Sequence, residues 1–204
     1  MSDIERRLTS RVPPSLDTAW LGDELGRRAI DAGLADVSYG SLDSPVGELL
    51  VAVTDRGLVR VAFASEPSDE VLAELADRVS PRVLRLPART DAARRELDEY
   101  FAGDRRGFDL PLDWSLVRGF ARGVLRATAR VPFGEVTTYR HMAEQAGSPR
   151  ASRAAGNALG SNPIPIVVPC HRVLHSGGGL GGYAGGLDRK RYLLALEGSL
   201  PSGG

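Results

Sequence analysis

Three prolines within seven positions, Pro163, Pro165 and Pro169, punctuate the apolar residues Ile164, Ile166, Val167 and Val168. Each proline locks its own φ and pushes its predecessor out of the helical region, so "SNPIPIVVPCHRV" is predicted to be an extended, rigid approach to Cys170. Cys170 is the only cysteine in 204 residues, which excludes an intramolecular disulfide and any zinc site built from several cysteines. It is therefore structural, redox-active or catalytic. A catalytic thiol needs a base, a cation or helix-dipole help, because a free cysteine is only a few per cent ionised at neutral pH. His171 follows directly, but adjacent side chains in extended chain point opposite ways, so contact requires a turn or a bridging water. His141 and His175 have no evident carboxylate partner. Residue types alone leave a reactive thiol and a buried inert one both open.

Beyond the cysteine, "HSGGGLGGYAGG" packs seven glycines into twelve residues. That composition suits a flexible linker, or a binding loop whose backbone approaches a flat ligand closely. It has neither the spacing nor the lysine of a phosphate-cradling loop.

Periodicity divides the chain. "PPSLDTAWLGDELGRRAIDAGL" has helical spacing, and residues 1–36 read as an appendage of unknown role. From Val37 the pattern is β, with three strands and turns at Ser44–Gly47 and Asp55–Gly57. Helix signals follow in "SDEVLAELADRV" and "TDAARRELDEYFAG", the second capped by Thr90 and stopped by Gly103, with "RVLRL" a strand between them. Residues 37–113 are thus predicted to be an α/β domain with a mainly antiparallel sheet, and 114–204 a mostly helical domain. In the latter, "SLVRGFARGVLRATARV" is amphipathic, with Val117, Phe120, Val124 and Ala127 on one stripe and Arg118, Arg122, Arg126 and Arg130 beside it as a solvated row. "TTYRHMAEQAG" and "RASRAAGNALG" are two short helices, the second capped by Ser148-Pro149, with the proportions of a helix-turn-helix. "LDRKRYLLALEG" closes the fold as a helix.

Net charge is zero, yet residues 115–204 hold 11 basic and 4 acidic side chains, a surplus of seven that the remaining residues cancel. Segregation of that kind points to a nucleic-acid face on the basic half. No apolar run approaches a membrane span, and the charged N-terminus has no apolar signal core, so a cytoplasmic protein without membrane partners is expected.

"VPFGEVTTYRHMAEQAGSPRASRAAGNALGSN", "NPIPIVVPCHRV" and "GGLGGYAGGLDRKRYLLALEG" together resemble the O6-alkylguanine-DNA alkyltransferase family over residues 131–198. "SPVGELLVAVTDRGLVRVAF" and "LDEYFAG" extend a looser likeness through the N-terminal half. The resemblance implies a ribonuclease H-like N-terminal α/β domain and a winged helix-turn-helix-like C-terminal domain. It implies repair by irreversible, single-turnover transfer of a methyl or larger alkyl group from O6-alkylguanine, or from O4-alkylthymine, in double-stranded DNA. On that likeness Cys170 is the acceptor, His171 the base acting through a water, and Glu197 the carboxylate that orients it. Asn162 ties the helix-turn segment to the active-site strand, and Tyr139 hydrogen-bonds toward N3 of guanine. Pro165, Tyr183 and Gly185 line the alkyl pocket, and the backbone at Cys170 and Val173 reads the guanine edge. Arg153 fills the gap left by a flipped nucleotide, with Arg150, Ala151, Ala154 and Ala155 on the minor-groove face. A monomer is expected, with cooperative loading on DNA left open. No cofactor and no metal are expected: zinc occurs in the N-terminal domain of some relatives, but residues 1–113 here contain neither Cys nor His. Ala121 and Leu125 stand where many members carry Gln and Trp, a difference read as a repacked core. The competing reading is a non-catalytic damage sensor or regulator; sensors of this type carry another residue at the cysteine position, and regulators need extra metal-binding cysteines.

Overall fold

The computed structural model describes residues 32–200 together with Gly26 and Arg28. Apart from Gly26 and Arg28, which are helical, the N-terminal helix expected from the sequence lies outside the described residues. The chain divides into residues 1–35 and 36–204, and everything that follows concerns the second unit.

Three strands form as the alternation predicts: β1 (Val37–Leu42), β2 (Leu49–Thr54) and β3 (Gly57–Phe63). After α1 (Ser68–Arg78), β4 (Val83–Arg85) returns parallel to β1, giving the order β3-β2-β1-β4 with the other pairs antiparallel. Period-2 alternation gives the sheet two apolar faces. Val37, Ala52, Val59 and Ala62 bury against Val71 and Leu75 of α1 on one side. Leu49, Val51, Val61 and Phe63 face the opposite side, where they share one core with Leu97, Ile164, Ile166, Val168 and Cys170. Burying each such aliphatic side chain contributes about 1.5–3 kcal/mol, so the sheet and the cysteine segment are packed as one body.

A 3-10 turn (Pro87–Thr90) leads into α2 (Asp91–Ala102), which ends at Gly103 as expected. Thr90 occupies the cap position but does not cap, because its hydroxyl donates to the Pro87 carbonyl at 2.7 Å. The next helix, α3 (Gly119–Thr128), is shorter than the amphipathic stretch suggests. Leu116 is drawn into the cluster under α1, its carbonyl accepts from Arg78, and Arg118 is left extended. The innermost residues of α3 are Val124, Leu125 and Thr128, so Leu125 is a core side chain.

Strand β5 (Thr137–Thr138) runs into α4 (Tyr139–Gln145), whose N-terminus is capped by Thr138 accepting from the His141 amide at 3.2 Å. Helix α5 (Ser152–Gly160) begins later than Ser148-Pro149 suggested. Residues 148–151 instead close their own turn, with the Ala151 amide donating to the Ser148 carbonyl at 2.9 Å. A 3-10 turn (Cys170–Arg172), β6 (Val173–Leu174) and α6 (Leu187–Leu196) complete the chain. The protein is thus a mixed α/β fold with an N-terminal, mainly antiparallel sheet and C-terminal helices. Among the described residues no helix is long and apolar enough to cross a membrane, and no group of three or more His, Cys, Asp or Glu could hold a metal ion.

Candidate active site

The approach to Cys170 is buried but not extended. Prolines fix φ and leave ψ free, and here the chain coils tightly between Pro163 and Pro169. The Val168 amide donates to the Ile164 carbonyl, and the Val167 amide to Pro165, both at 2.9 Å. Ile166, at the centre of that second turn, has φ of +73°. A β-branched residue in that region is strained by about 1–3 kcal/mol and persists because its surroundings over-determine it. Two elements do so. Asn162 donates from Nδ2 to the Val168 carbonyl at 2.8 Å and accepts the Ile164 amide on Oδ1 at 3.1 Å. From the sheet, the Val61 amide and buried Arg60 both donate to the Pro163 carbonyl, at 2.9 and 3.4 Å.

That coil delivers a thiol only 4% exposed at the floor of an open cavity of about 620 Å³. Burial pushes the Cys170 pKa up to about 11, against the amide of Asn162, the charge of Lys190 and the local backbone amides, which favour thiolate. The resting thiol is therefore protonated at neutral pH, and attack requires removal of the proton at the moment of reaction. The Asn162 Nδ2 contact to Sγ, at 3.2 Å, stabilises the charge that then develops.

His171 is fully buried and aims Nε2 at Glu197 Oε1, 2.9 Å away. With Nε2 engaged by the carboxylate, Nδ1 has no protein partner among the described residues and is free to accept a proton. Burial holds the imidazole neutral below its ordinary pKa, although Glu197 pulls the other way. Glu197 also accepts from Arg172 Nε and Nη2, at 2.9 and 2.8 Å, and from the Tyr100 hydroxyl at 2.7 Å. Despite burial, the hydrogen bonds and charges of His171 and Arg172 hold its pKa near 2.

Both His171 and Glu197 thus bind protons less readily in the folded than in the unfolded chain, so stability rises with pH. Unfolding free energy is expected to fall below about pH 6.5 as unfolded His171 protonates, and again between about pH 4.5 and 2 as unfolded Glu197 does. Urea titrations across this range check the slope. Glu197→Gln flattens its lower part, and unchanged acid sensitivity in that variant contradicts the assignment.

Tyr139 reaches the same cavity because β5 pairs with β6 in parallel, Thr137 beside Val173 and Thr138 beside Leu174. Its ring lies against Gly156 of α5, and its hydroxyl sits so close to Gly181 that a Cβ there would collide with it. Gly181 therefore lets the glycine-rich loop close over Tyr139. Gly185 is similarly crowded by Phe63 and Tyr183.

The cavity wall brings together Cys170, Tyr139, Arg153 and Tyr183 from the expected set, with Ser152, Gly156, Asn157, His175, Gly182 and Ala184 added. Pro165, Val173 and Gly185 are buried behind that lining. On α5, Arg153 and Ala154 are exposed and Ala151 half-buried, as Arg150 is exposed in the preceding turn, whereas Ala155 is fully buried in the core and offers no outer surface. Tyr100, Arg172 and Lys190 bear on the site but were given no role from the sequence. Tyr100 comes from the N-terminal half. Lys190, fully buried on α6, donates from Nζ to the Val173 carbonyl at 2.7 Å and to that of Leu180, strapping the glycine-rich loop to the cysteine segment. Burial lowers its pKa to about 8, although Cys170 favours the ammonium, and among the described residues no carboxylate pairs with it.

Ion pairs hold Arg56, Arg78, Arg82, Arg89, Arg94 and Arg105 in the N-terminal half and Arg140, Arg172 and Arg191 in the C-terminal half. Among the described residues none of Arg118, Arg122, Arg130, Arg150 and Arg153 has an acidic partner, and Arg126 lies over the Trp114 ring, 6.0 Å from its centroid.

Two family models match the chain: the 6-O-methylguanine DNA methyltransferase ribonuclease-like domain over residues 37–114, and the DNA-binding domain of the same family over 119–199. A methylated-DNA–protein-cysteine methyltransferase of Mycolicibacterium paratuberculosis is 44% identical over 166 residues, covering 79% of this chain and 92% of the relative. The protein of that name from Methanosarcina acetivorans is 40% identical, covering 79% and 98%. Among solved structures, Mycobacterium tuberculosis OGT in complex with DNA matches with a TM-score of 0.64 and 38% identity, over 79% of this chain and 93% of that one. The O6-methylguanine-DNA methyltransferase of Pyrococcus kodakaraensis matches at 0.56 and 28%, covering 79% and 99%.

Proposed function

The chain belongs to the 6-O-methylguanine DNA methyltransferase family, enzymes that bind DNA and repair it by alkyl transfer, and on that premise we propose that Cys170 accepts the alkyl group with residues 114–204 supplying most of the machinery. One observation carries the reading: a buried thiol at a cavity floor, followed by a histidine whose Nε2 is spent on Glu197 and whose Nδ1 is free.

In the proposed reaction Sγ attacks the alkyl carbon on O6 of guanine. The S–C bond forms as the C–O6 bond breaks, and the thiol proton passes through a bridging water to His171 Nδ1. Asn162 and Lys190 oppose the cost of the developing thiolate. Tyr139 donates toward N3, so the departing guanine leaves without a full negative charge. The product is a thioether that none of these residues can hydrolyse, so each molecule acts once.

O6 of a stacked base is out of reach of a cavity floor, so the damaged nucleotide must leave the duplex, and a weakly paired lesion does so most cheaply. Exposed Arg153 beside the cavity mouth suits a side chain that fills the vacated stack, with Ala151 and Ala154 permitting close approach in the minor groove. The uncompensated arginines of α3 and the α4–α5 turn suit phosphate contact, giving salt-dependent binding with little sequence preference.

Arg153→Ala tests the arrangement. Transfer from O6-methylguanine in a duplex is expected to slow about 100-fold, while reaction with free O6-benzylguanine changes less than about twofold. Equal losses on both substrates rule out the intercalating role.

A further inference from the structure

Glu197 is held from both halves of the chain. His171 Nε2 and two nitrogens of Arg172 reach it from the cysteine turn. The remaining donor is the hydroxyl of Tyr100, near the end of α2. Tyr100 is fully buried, with its ring held by Phe101 and Phe108 at 5.4 Å between centroids and edge-on by Phe133 at 6.2 Å. Burial and the adjacent carboxylate raise the phenol pKa far above its ordinary value, so the hydroxyl keeps its proton and donates to Glu197. A single oxygen, Oε1, receives Tyr100, His171 and Arg172 Nη2 together. Donors to one carboxylate oxygen share its charge, so each weakens the pull on the others.

We propose that Tyr100 is a positioning residue for alkyl transfer, tempering Glu197 so that it orients His171 without drawing a second proton onto the imidazole. The proposal rests on His171 acting as the base. The charged and titratable groups facing this pair are Tyr100 from α2, Arg172 from the cysteine turn, Lys190 from α6 and Tyr183, whose ring meets that of His171 edge-on at 6.4 Å. With the Tyr100 hydroxyl gone, Oε1 keeps two donors, its charge concentrates beside Nε2, and the imidazolium is favoured. An imidazolium cannot take the proton of Cys170. The pH at which transfer switches on therefore rises. The N-terminal half thus reaches the reaction through one hydroxyl as well as through packing.

Tyr100→Phe removes that hydroxyl and keeps the ring contacts. Two readouts on the intact chain decide the matter: the pH profile of single-turnover transfer from O6-methylguanine duplex, and the titration of the His171 ring nitrogens by NMR. The expected result is an upward shift of the His171 titration, with transfer about fivefold slower at the acid end of the profile and nearly native at the alkaline end. In a Glu197→Gln background, Tyr100→Phe is expected to leave the His171 titration where it is. A uniform fall in rate at all pH values, as loss of packing alone gives, overturns the proposal, and so does a shift that survives in the Glu197→Gln background. An unmoved titration overturns the coupling itself. A moved titration with an unmoved rate profile overturns its premise, the base role of His171.

Discussion

With Cys170 replaced by alanine, the protein is expected to bind alkylated duplex DNA with near-native affinity and to transfer nothing. The thiol is 4% exposed and the floor of the cavity is the only place where it meets substrate, so removing it alters neither the arginines of α3 nor the outer face of α5. Sulfur is also hard to replace chemically. Serine at the same position has a far higher pKa than a thiol, and its oxygen is a much weaker nucleophile than sulfur toward a saturated alkyl carbon. Alanine and serine should therefore both give complexes that hold DNA and leave the lesion intact. Gel-shift titrations and an assay for residual O6-methylguanine check the two halves of this result. Weakened binding in Cys170→Ala, or transfer that persists, contradicts it.

Glu197→Ala is expected to be the most damaging single change to the fold. The carboxylate accepts four hydrogen bonds, from Tyr100, His171 and twice from Arg172, all buried. Alanine leaves the guanidinium of Arg172 without its anion, and its remaining acceptor is the Val131 carbonyl at 2.5 Å. Breaking a buried ion pair on one side destabilises by about 3–5 kcal/mol, a large share of the stability of a chain of this size. Single-turnover transfer by the molecules that remain folded should also drop about 100-fold or more, because His171 loses the partner that fixes its tautomer. Denaturant titrations measure the first effect and rates corrected for folded fraction the second. A Glu197→Ala protein within about 1 kcal/mol of the native chain contradicts the network.

Much of the fold was legible because local pattern and tertiary packing agree. The alternation in residues 37–63 and the Gly103 stop fall where the sequence puts them. Disagreement arises where distant atoms decide. The proline-punctuated segment coils because Asn162 and strand β3 hold its carbonyls, and a proline pattern says nothing about ψ. Helix α3 starts late because Leu116 is claimed by the cluster under α1. In the site, Cys170 and His171 are adjacent and were readable as a pair, whereas Glu197 emerged from family resemblance alone, 26 residues away at the end of α6. Tyr100 carries no chemical signal in "LDEYFAG", since only the folded chain brings it to Glu197.

Lys190 did leave a trace: it is the single lysine among 26 basic residues. In a chain that otherwise uses arginine throughout, a compact ammonium fits a fully buried site between two carbonyls where a planar guanidinium does not. His175, set aside for want of a carboxylate partner, lines the cavity with its ring 5.1 Å from that of Tyr139.

The central claim is that the lone thiol is consumed as the acceptor. Incubating the protein with duplex DNA carrying methyl-labelled O6-methylguanine, followed by peptide mass spectrometry, tests it most directly. One methyl group per protein molecule, carried on Cys170 and never released, is the predicted result. Label on any other residue, or more than one lesion cleared per molecule, contradicts it.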